Sequence, residues 1–399
     1  MIAKDLVFWI WLSSLTTLRQ KARVALWEEY GSPERIWNAA AASNLSFKGM
    51  TQSDRNIISS RNLDDAAEIL SNCARQGISV IPMSSPDYPE RLKNIYCPPF
   101  VLYVKGILPP VDELPVISVI GTRKASTYGL KMGRQLAFDI SKSGALIVSL
   151  LTAGIDSSAA EGALLAGNGC IGVLGTPHEG EKSSLVDEIA VNGAVISEYP
   201  PGAGRNRSYF RERNRIAAGL SLGVVVVEAP ENSGTAFFVS EALDQGKEIF
   251  AVPGNADSEN SAGTLRLLRL GATPVGNGWD VLAGYRDVYP FLRKNSETVP
   301  DYSIQKHGAQ DRKNEPAISD TAKSSTSSII DWRDVKYGLS DDQLKIVSVL
   351  MKGPGSVDSI IVQSEMRAQK VLSQLTILEI KGVVTRSAAK IYQLITEKK

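Results

Sequence analysis

The chain has 399 residues, 43% of them hydrophobic, which allows two or three domains with a substantial core. Its 44 basic and 43 acidic side chains leave a net charge of +1, which excludes capture of a polyanion by bulk charge. Any nucleic-acid site must therefore be a local concentration of cations.

The run 6–12 is apolar but too short to cross a membrane, and no small-residue cleavage site follows it. It is expected to be the first core helix of a helical domain over residues 1–75. Apolar residues recur there at helical spacing, with Gly31, Gly49 and the Ser59-Ser60 pair as punctuation. A turn-rich stretch, 82–99, leads to an expected short strand at 100–104. From Val116 the pattern changes to short, continuous apolar runs separated by helical stretches. The predicted strands are 116–120, 145–149, 170–174, 194–197, 223–228, 248–252 and 272–275. Continuous runs suit strands covered on both faces. Strand–helix repetition predicts an α/β domain over 76–290, with a doubly wound, mostly parallel sheet. Residues 291–338 are expected to form a flexible linker, because 296–338 is rich in Ser, Lys, Asp and Pro and cannot bury enough surface to offset ordering. Beyond it, 339–399 is predicted to be a winged helix, with helices at 341–351, 357–363 and 365–378 and a hairpin at 383–394. The last helix carries Arg367, Gln369, Lys370 and Gln374, which suit either groove contact or an ordinary solvated face.

Three loops follow predicted strands, at the sheet edge where open α/β sheets bind ligands. The first, Gly121-Thr122-Arg123-Lys124, precedes a helix opening near Ser126 and supplies amides, a hydroxyl and two cations for a phosphate. The second is Ser233-Gly234-Thr235 at a helix start, and the third is Pro253-Gly254-Asn255. The densest signal is the segment from Arg205 to Arg215, in which Arg205, Arg207, Arg211, Arg213 and Arg215 surround Tyr209 and Phe210, with Asn214 beside them. Arginine pairs bidentately with phosphate, and an aromatic ring can stack on any base. Glu198, Glu212 and Glu228 are expected to pair with one or two of these arginines and so fix the loop. Asp156 either orients a ligand or arginine, or caps the helix that starts beside it.

Other chemistries lack their residues. There is no Gly-x4-Gly-Lys-Ser/Thr loop, and no Gly-x-Ser-x-Gly elbow. The two histidines, His178 and His307, belong to no metal-binding pattern, so no metal or cofactor is expected. Cys73, Cys97 and Cys170 stand apart and read as reduced, buried thiols of a cytoplasmic protein.

Taken in order, the motifs resemble the DNA-processing protein A (DprA/Smf) family across nearly the whole chain. They are Val119-Ile120-Gly121-Thr122-Arg123 with Tyr128-Gly129, Gly154-Ile155-Asp156, and Ser197-Glu198-Tyr199-Pro200-Pro201-Gly202. Further on come Phe210 with Arg213-Asn214-Arg215-Ile216, Ser233-Gly234-Thr235, Val252-Pro253-Gly254 and Gly271-Ala272. The resemblance implies a sterile-alpha-motif-like N-terminal domain, an extended Rossmann fold and a winged helix. It also implies single-stranded DNA binding, homodimerisation and loading of a RecA-type recombinase in natural transformation. Arg123 and the Arg213–Arg215 segment would meet phosphates. The chain departs from the family pattern at Leu150, Ala153, Ala160 and Leu265, where a glycine, a basic residue, a histidine and an asparagine are usual.

The resulting expectation is a non-catalytic, sequence-tolerant single-stranded DNA-binding protein. Two rivals stand beside it. One is a nucleotide-binding enzyme of the phosphoribohydrolase type, with Glu228, Asp156 or Glu241 as its carboxylate. The other is a diverged adaptor with weak DNA binding.

Overall fold

A computed structural model describes residues 2–60, 62–181, 183–231, 233–297, 299, 341–364, 366, 371, 374–375, 378, 383–386 and 391–394. These fall into two compact units, one within 1–311 and one within 312–399.

The larger unit is organised by a nine-stranded sheet. Its strands are β1 (Ser79–Pro82), β2 (Val101–Gly106), β3 (Val116–Ile120), β4 (Leu146–Ser149), β5 (Cys170–Leu174), β6 (Ala194–Ser197), β7 (Gly223–Val226), β8 (Glu248–Ala251) and β9 (Thr273–Pro274). They lie in the order β1-β2-β6-β5-β4-β3-β7-β8-β9. From β6 to β9 every pairing is parallel, while β2 runs antiparallel to β6, and β1 to β2. The predicted strands all form, each within a residue or two of its expected ends. The strand β1 was not legible, because its four residues merge into the turn-rich stretch that follows.

Both faces of the sheet are covered, which is why its strands read as unbroken apolar runs. Ile117, Val119, Ile147 and Val225 pack under the helices Thr127–Lys142, Ile155–Ala166 and Ser184–Asn192. Their neighbours Val116, Ile120, Val148 and Val224 point to the opposite face and join Phe238, Ile216 and the N-terminal helices in a second cluster. Each such side chain contributes about 1.5–3 kcal/mol on leaving water. The helix Ile2–Ser14 brings Trp9, Ile10, Trp11 and Leu12 into that cluster, so the N-terminal helices share a core with the sheet. Cys73, Cys97 and Cys170 are free and buried.

An ion cluster ties the same two regions. Glu198 Oε1 accepts from Arg23 at 3.0 Å and from Arg215 at 2.6 Å, with all three side chains shielded from water. Arg23 also donates to the carbonyls of Leu18 and Thr16. His178, read from sequence as a loop residue, lies in a buried 3-10 turn, with Nε2 2.9 Å from the Tyr103 carbonyl. Burial holds its pKa below the ordinary value, so it stays neutral.

In the smaller unit, Asp341–Leu350 and Val357–Ser364 are helices. A three-stranded antiparallel sheet joins Gly355–Ser356, Ile391–Leu394 and Val384–Arg386. Ile346, Leu350, Ile360, Val371, Leu375, Leu378 and Tyr392 form its core. Of the third predicted helix, 365–378, residues 366, 371, 374, 375 and 378 are described; the last four are helical and Met366 is not. Arg367, Gln369 and Lys370 lie outside the described residues, as does the expected linker from residue 300 onward.

The helices Thr127–Lys142 and Ile155–Ala166 cross at Gly162, where an added Cβ would lie 2.2 Å from the Arg134 carbonyl oxygen. Alanine gains about 1 kcal/mol of helix propensity there, but overpacking costs about 1–3 kcal/mol. The obstacle is backbone and cannot swing aside, so the clash wins. Gly162→Ala should lower stability by about 1–2 kcal/mol in urea unfolding; a gain in stability would mean that this crossing is not close-packed.

Candidate nucleic-acid interface

The chain reverses direction across the sheet at β3. From there it runs outward through β4, β5 and β6, then returns to β7 on the other side of β3. The loops leaving β3 and β7 therefore diverge, and a crevice opens at their carboxyl ends. Two neighbouring cavities occupy this edge, of about 480 and 530 Å³. Arg123, Leu150, Thr152, Phe210 and Arg213 line both.

The loop Gly121-Thr122-Arg123-Lys124 is held from every side by its backbone. Thr122 N donates to the Glu228 carbonyl at 2.8 Å, Ile155 N to the Thr122 carbonyl at 3.3 Å, and Asn260 Nδ2 to the Lys124 carbonyl at 3.2 Å. Gly154 makes this packing possible. Its φ is +90°, and a Cβ there would lie 2.4 Å from the Thr122 carbonyl oxygen. With the backbone fixed, the Arg123 and Lys124 side chains face solvent on the cavity wall. Ser126 caps the following helix through the Gly129 amide, and the Glu228 carboxylate accepts from both the Ser126 amide and its hydroxyl.

Asp156 does not cap its helix, because Gly154 holds that position. Its Oδ1 instead accepts the Gly121 amide at 3.3 Å, and its Oδ2 accepts the Thr152 hydroxyl. The carboxylate thus orients the backbone of the Gly121–Lys124 loop from the cavity floor. Burial pushes its pKa up to about 6, against the lowering pull of the Thr152 hydroxyl and Arg213.

The arginine segment divides by burial. Arg211 lies on the first cavity, Arg207 on the second, and Arg213 reaches both. Arg213 is 4% exposed, and its guanidinium donates to the carbonyls of Leu150 and Val173 while Nε finds no protein partner. Burial lowers its pKa to about 10, which still leaves it charged at neutral pH. Asn214 lines the first cavity. Arg215, expected at phosphate, is placed otherwise: it is 2% exposed, absent from both cavity linings and paired with Glu198. Arg205 is exposed but donates to the Gly180 carbonyl at 2.7 Å, away from both linings. Of the two candidate stacking rings, Tyr209 is buried against Tyr199, with centroids 3.7 Å apart, whereas Phe210 is 39% exposed on the cavities.

The loop Ser233-Gly234-Thr235 lies on the first cavity, at the N-terminus of the helix Thr235–Asp244. The Ser233 hydroxyl there has no protein partner. The third loop is not brought in: Gly254 packs toward Ser261 and lines neither cavity. Lining residues that the sequence did not single out include Pro230, Phe237 and Phe238. Phe237 is 53% exposed on the first cavity, with the Arg211 guanidinium 4.1 Å from its ring centroid. The adjacent Phe237-Phe238 pair carried a signal, since side chains about 100° apart on one helix need not share a face, and here only Phe238 is buried. Together the cavities gather Arg123, Lys124, Arg207, Arg211 and Arg213, facing Asp156 and Glu181, with exposed aromatic rings at hand.

The raised carboxyl of Asp156 has a consequence for stability. The folded chain holds that proton more tightly than the unfolded chain. The group therefore favours folding below about pH 4 and loses that contribution as the pH rises through about 6. Asparagine can accept the Gly121 amide and donate to Thr152 without a charge. Relative to wild type, Asp156→Asn should thus gain about 2–3 kcal/mol between pH 4 and pH 8 in urea unfolding. An unchanged difference at the two pH values would mean that this carboxyl titrates normally.

Comparison with known proteins follows the same two units. Residues 79–286 match the family described as DNA recombination-mediator protein A, and residues 334–390 match the DprA winged helix domain. The DNA processing protein DprA of Bacillus subtilis is 37% identical over 217 residues, 53% of this chain and 73% of that protein. Protein Smf of Synechocystis is 30% identical over 344 residues, 84% of this chain and 85% of the relative. The X-ray structure of DNA processing protein A from Streptococcus pneumoniae superposes with a TM-score of 0.59 at 27% identity, covering 69% of this chain and 97% of that one.

Proposed function

This chain belongs to the DNA recombination-mediator protein A family, the DprA/Smf proteins, and we propose that it binds single-stranded DNA along the two cavities and delivers it to a RecA-type recombinase. One observation carries the reading. A chain with net charge +1 concentrates Arg123, Lys124, Arg207, Arg211 and Arg213 from two distant segments on one crevice, beside a helix N-terminus. Phosphates would lie on these cations, the Ser233 hydroxyl and the amides of the Gly121 and Gly234 loops. Contacts of that kind hold the backbone and ignore base identity, as a mediator that must coat any incoming strand requires.

In this proposal residues 76–290 are the DNA-binding domain, 1–75 a helical domain, 291–338 a linker and 339–399 the winged helix. The protein is a homodimer in the manner of its family and works without catalysis, in the cytoplasm. Three free, buried thiols suit a reducing compartment, and no described helix is long and apolar enough to cross a membrane. The nucleotide-cleaving alternative needs an available carboxylate. Glu228 is occupied by Ser126 and Asn260, and Glu241 by Gln245. That leaves Asp156, whose oxygens are taken by the Gly121 amide and the Thr152 hydroxyl.

Fluorescence anisotropy of a labelled oligothymidine, against a duplex of the same length, tests the reading. Affinity for the single strand should fall with salt by about 0.7 log units per phosphate contacted for each log unit of salt. Arg123→Ala should weaken binding roughly tenfold and flatten that slope by about one contact's worth. Arg215→Met should lower the melting temperature and leave the affinity of the folded protein close to wild type. Absence of single-strand binding, or indifference to Arg123, would overturn the proposal.

A further inference from the structure

The Arg211–Phe237 pair is left unused by phosphate binding alone. Phe237 and Phe238 are neighbours in the helix Thr235–Asp244, and Phe238 takes the core position, at 1% exposed. Phe237 consequently faces the first cavity, more than half exposed, at a position where any polar residue would serve the helix equally well. Arg211 lies against its ring at 4.1 Å, and across the cavity lining Phe210 is set beside Arg213, 5.6 Å from ring centroid to guanidinium. Each pair therefore combines a cation with an exposed aromatic surface. A nucleotide has the matching halves, a phosphate and a flat base.

We propose that Phe237, with Arg211 stacked on it, is a base platform that makes this crevice selective for unpaired strands. The proposal rests on the single-stranded DNA reading above and adds the residue that discriminates. Cations on phosphates do not tell a single strand from a duplex, because both expose their backbones. An exposed ring does. In a duplex the base faces are covered by their neighbours in the stack, whereas an unpaired base can leave that stack and lie on phenylalanine. Arg211 restrains the ring and places a charge where the adjoining phosphate would run. The strand would then be held by alternating contacts, with bases on Phe237 and Phe210 and phosphates on Arg211, Arg213 and Arg123.

The test uses the full-length chain and three probes: oligothymidine, an abasic oligonucleotide of the same length, and a duplex. Phe237→Ala should bind oligothymidine about tenfold more weakly and the abasic strand within twofold of wild type, with the salt slope unchanged. Phe237→Leu, which keeps an apolar side chain but has no ring, should behave like the alanine variant, and Phe237→Trp should restore binding. Circular dichroism melting of each variant should match wild type, because the residue is exposed. Equal losses on oligothymidine and the abasic strand, or no loss on oligothymidine, would overturn the platform while leaving single-strand binding intact. Failure of the wild-type chain to bind oligothymidine at all would overturn the underlying reading, and the platform with it.

Discussion

The position of β3 at the point where strand order reverses is the constraint on which the rest of the site depends. Its two neighbours, β4 and β7, are far apart in sequence, so the loops above β3 and β7 leave in opposite directions and cannot close over one another. The crevice is thus a consequence of topology, and side chains only furnish it. Gly121 to Lys124 furnish one wall, with the loop backbone pinned by the carbonyl of Glu228, the amide of Ile155 and the carboxylate of Asp156. Because the backbone is fixed, two long cationic side chains are presented to the crevice without the loop having to order on binding, a saving that strengthens any contact made there.

The arginine segment illustrates how burial divides residues of one type among different tasks. Arg215 and Arg213 are two residues apart at the start of one helix, and both are withdrawn from solvent. Arg215 turns toward Glu198, which Arg23 of the N-terminal helices also holds. Removing Glu198 would leave two buried arginines without their counter-charge, typically at about 3–5 kcal/mol. The place of Arg215 is structural, joining the helical region to the sheet. Arg213 instead uses two backbone carbonyls and keeps part of its guanidinium toward the cavities. Backbone carbonyls neutralise no charge, so Arg213 retains a field for an anion, steadied by Asp156 below it.

The N-terminal helices are continuous with this arrangement. Trp9, Trp11 and Leu12 complete the hydrophobic cluster beneath one face of the sheet, and Arg23 closes the ion cluster behind the arginine segment. A region that reads from sequence as a separate helical domain is therefore packed on the element that carries the site.

Much of this was legible in the sequence, for identifiable reasons. The parallel strands were readable because a strand covered on both faces must be apolar throughout, and continuous runs bounded by glycines carry that pattern. The loops after β3 and β7 were readable because glycine, hydroxyl and cation coincide at strand ends, and the arginine segment because its density is improbable in a chain of balanced charge. Composition alone could not say which arginine faces outward. Arg205, Arg207, Arg211, Arg213 and Arg215 are chemically the same, and only packing decides that Arg215 meets Glu198, which lies 17 residues away. Asp156 was ambiguous for the same reason, because a carboxylate at a helix start serves equally as a cap or as a hold on a neighbouring loop. Phe237 was hidden by its partner Phe238, since the sequence shows two rings and the helix buries one. Sequence by itself determined the parallel strands and which residue types stand at the sheet edge, because periodicity and local backbone chemistry act over short spans. Tertiary structure decided which of those residues meet, because burial and charge pairing depend on neighbours brought together from distant parts of the chain.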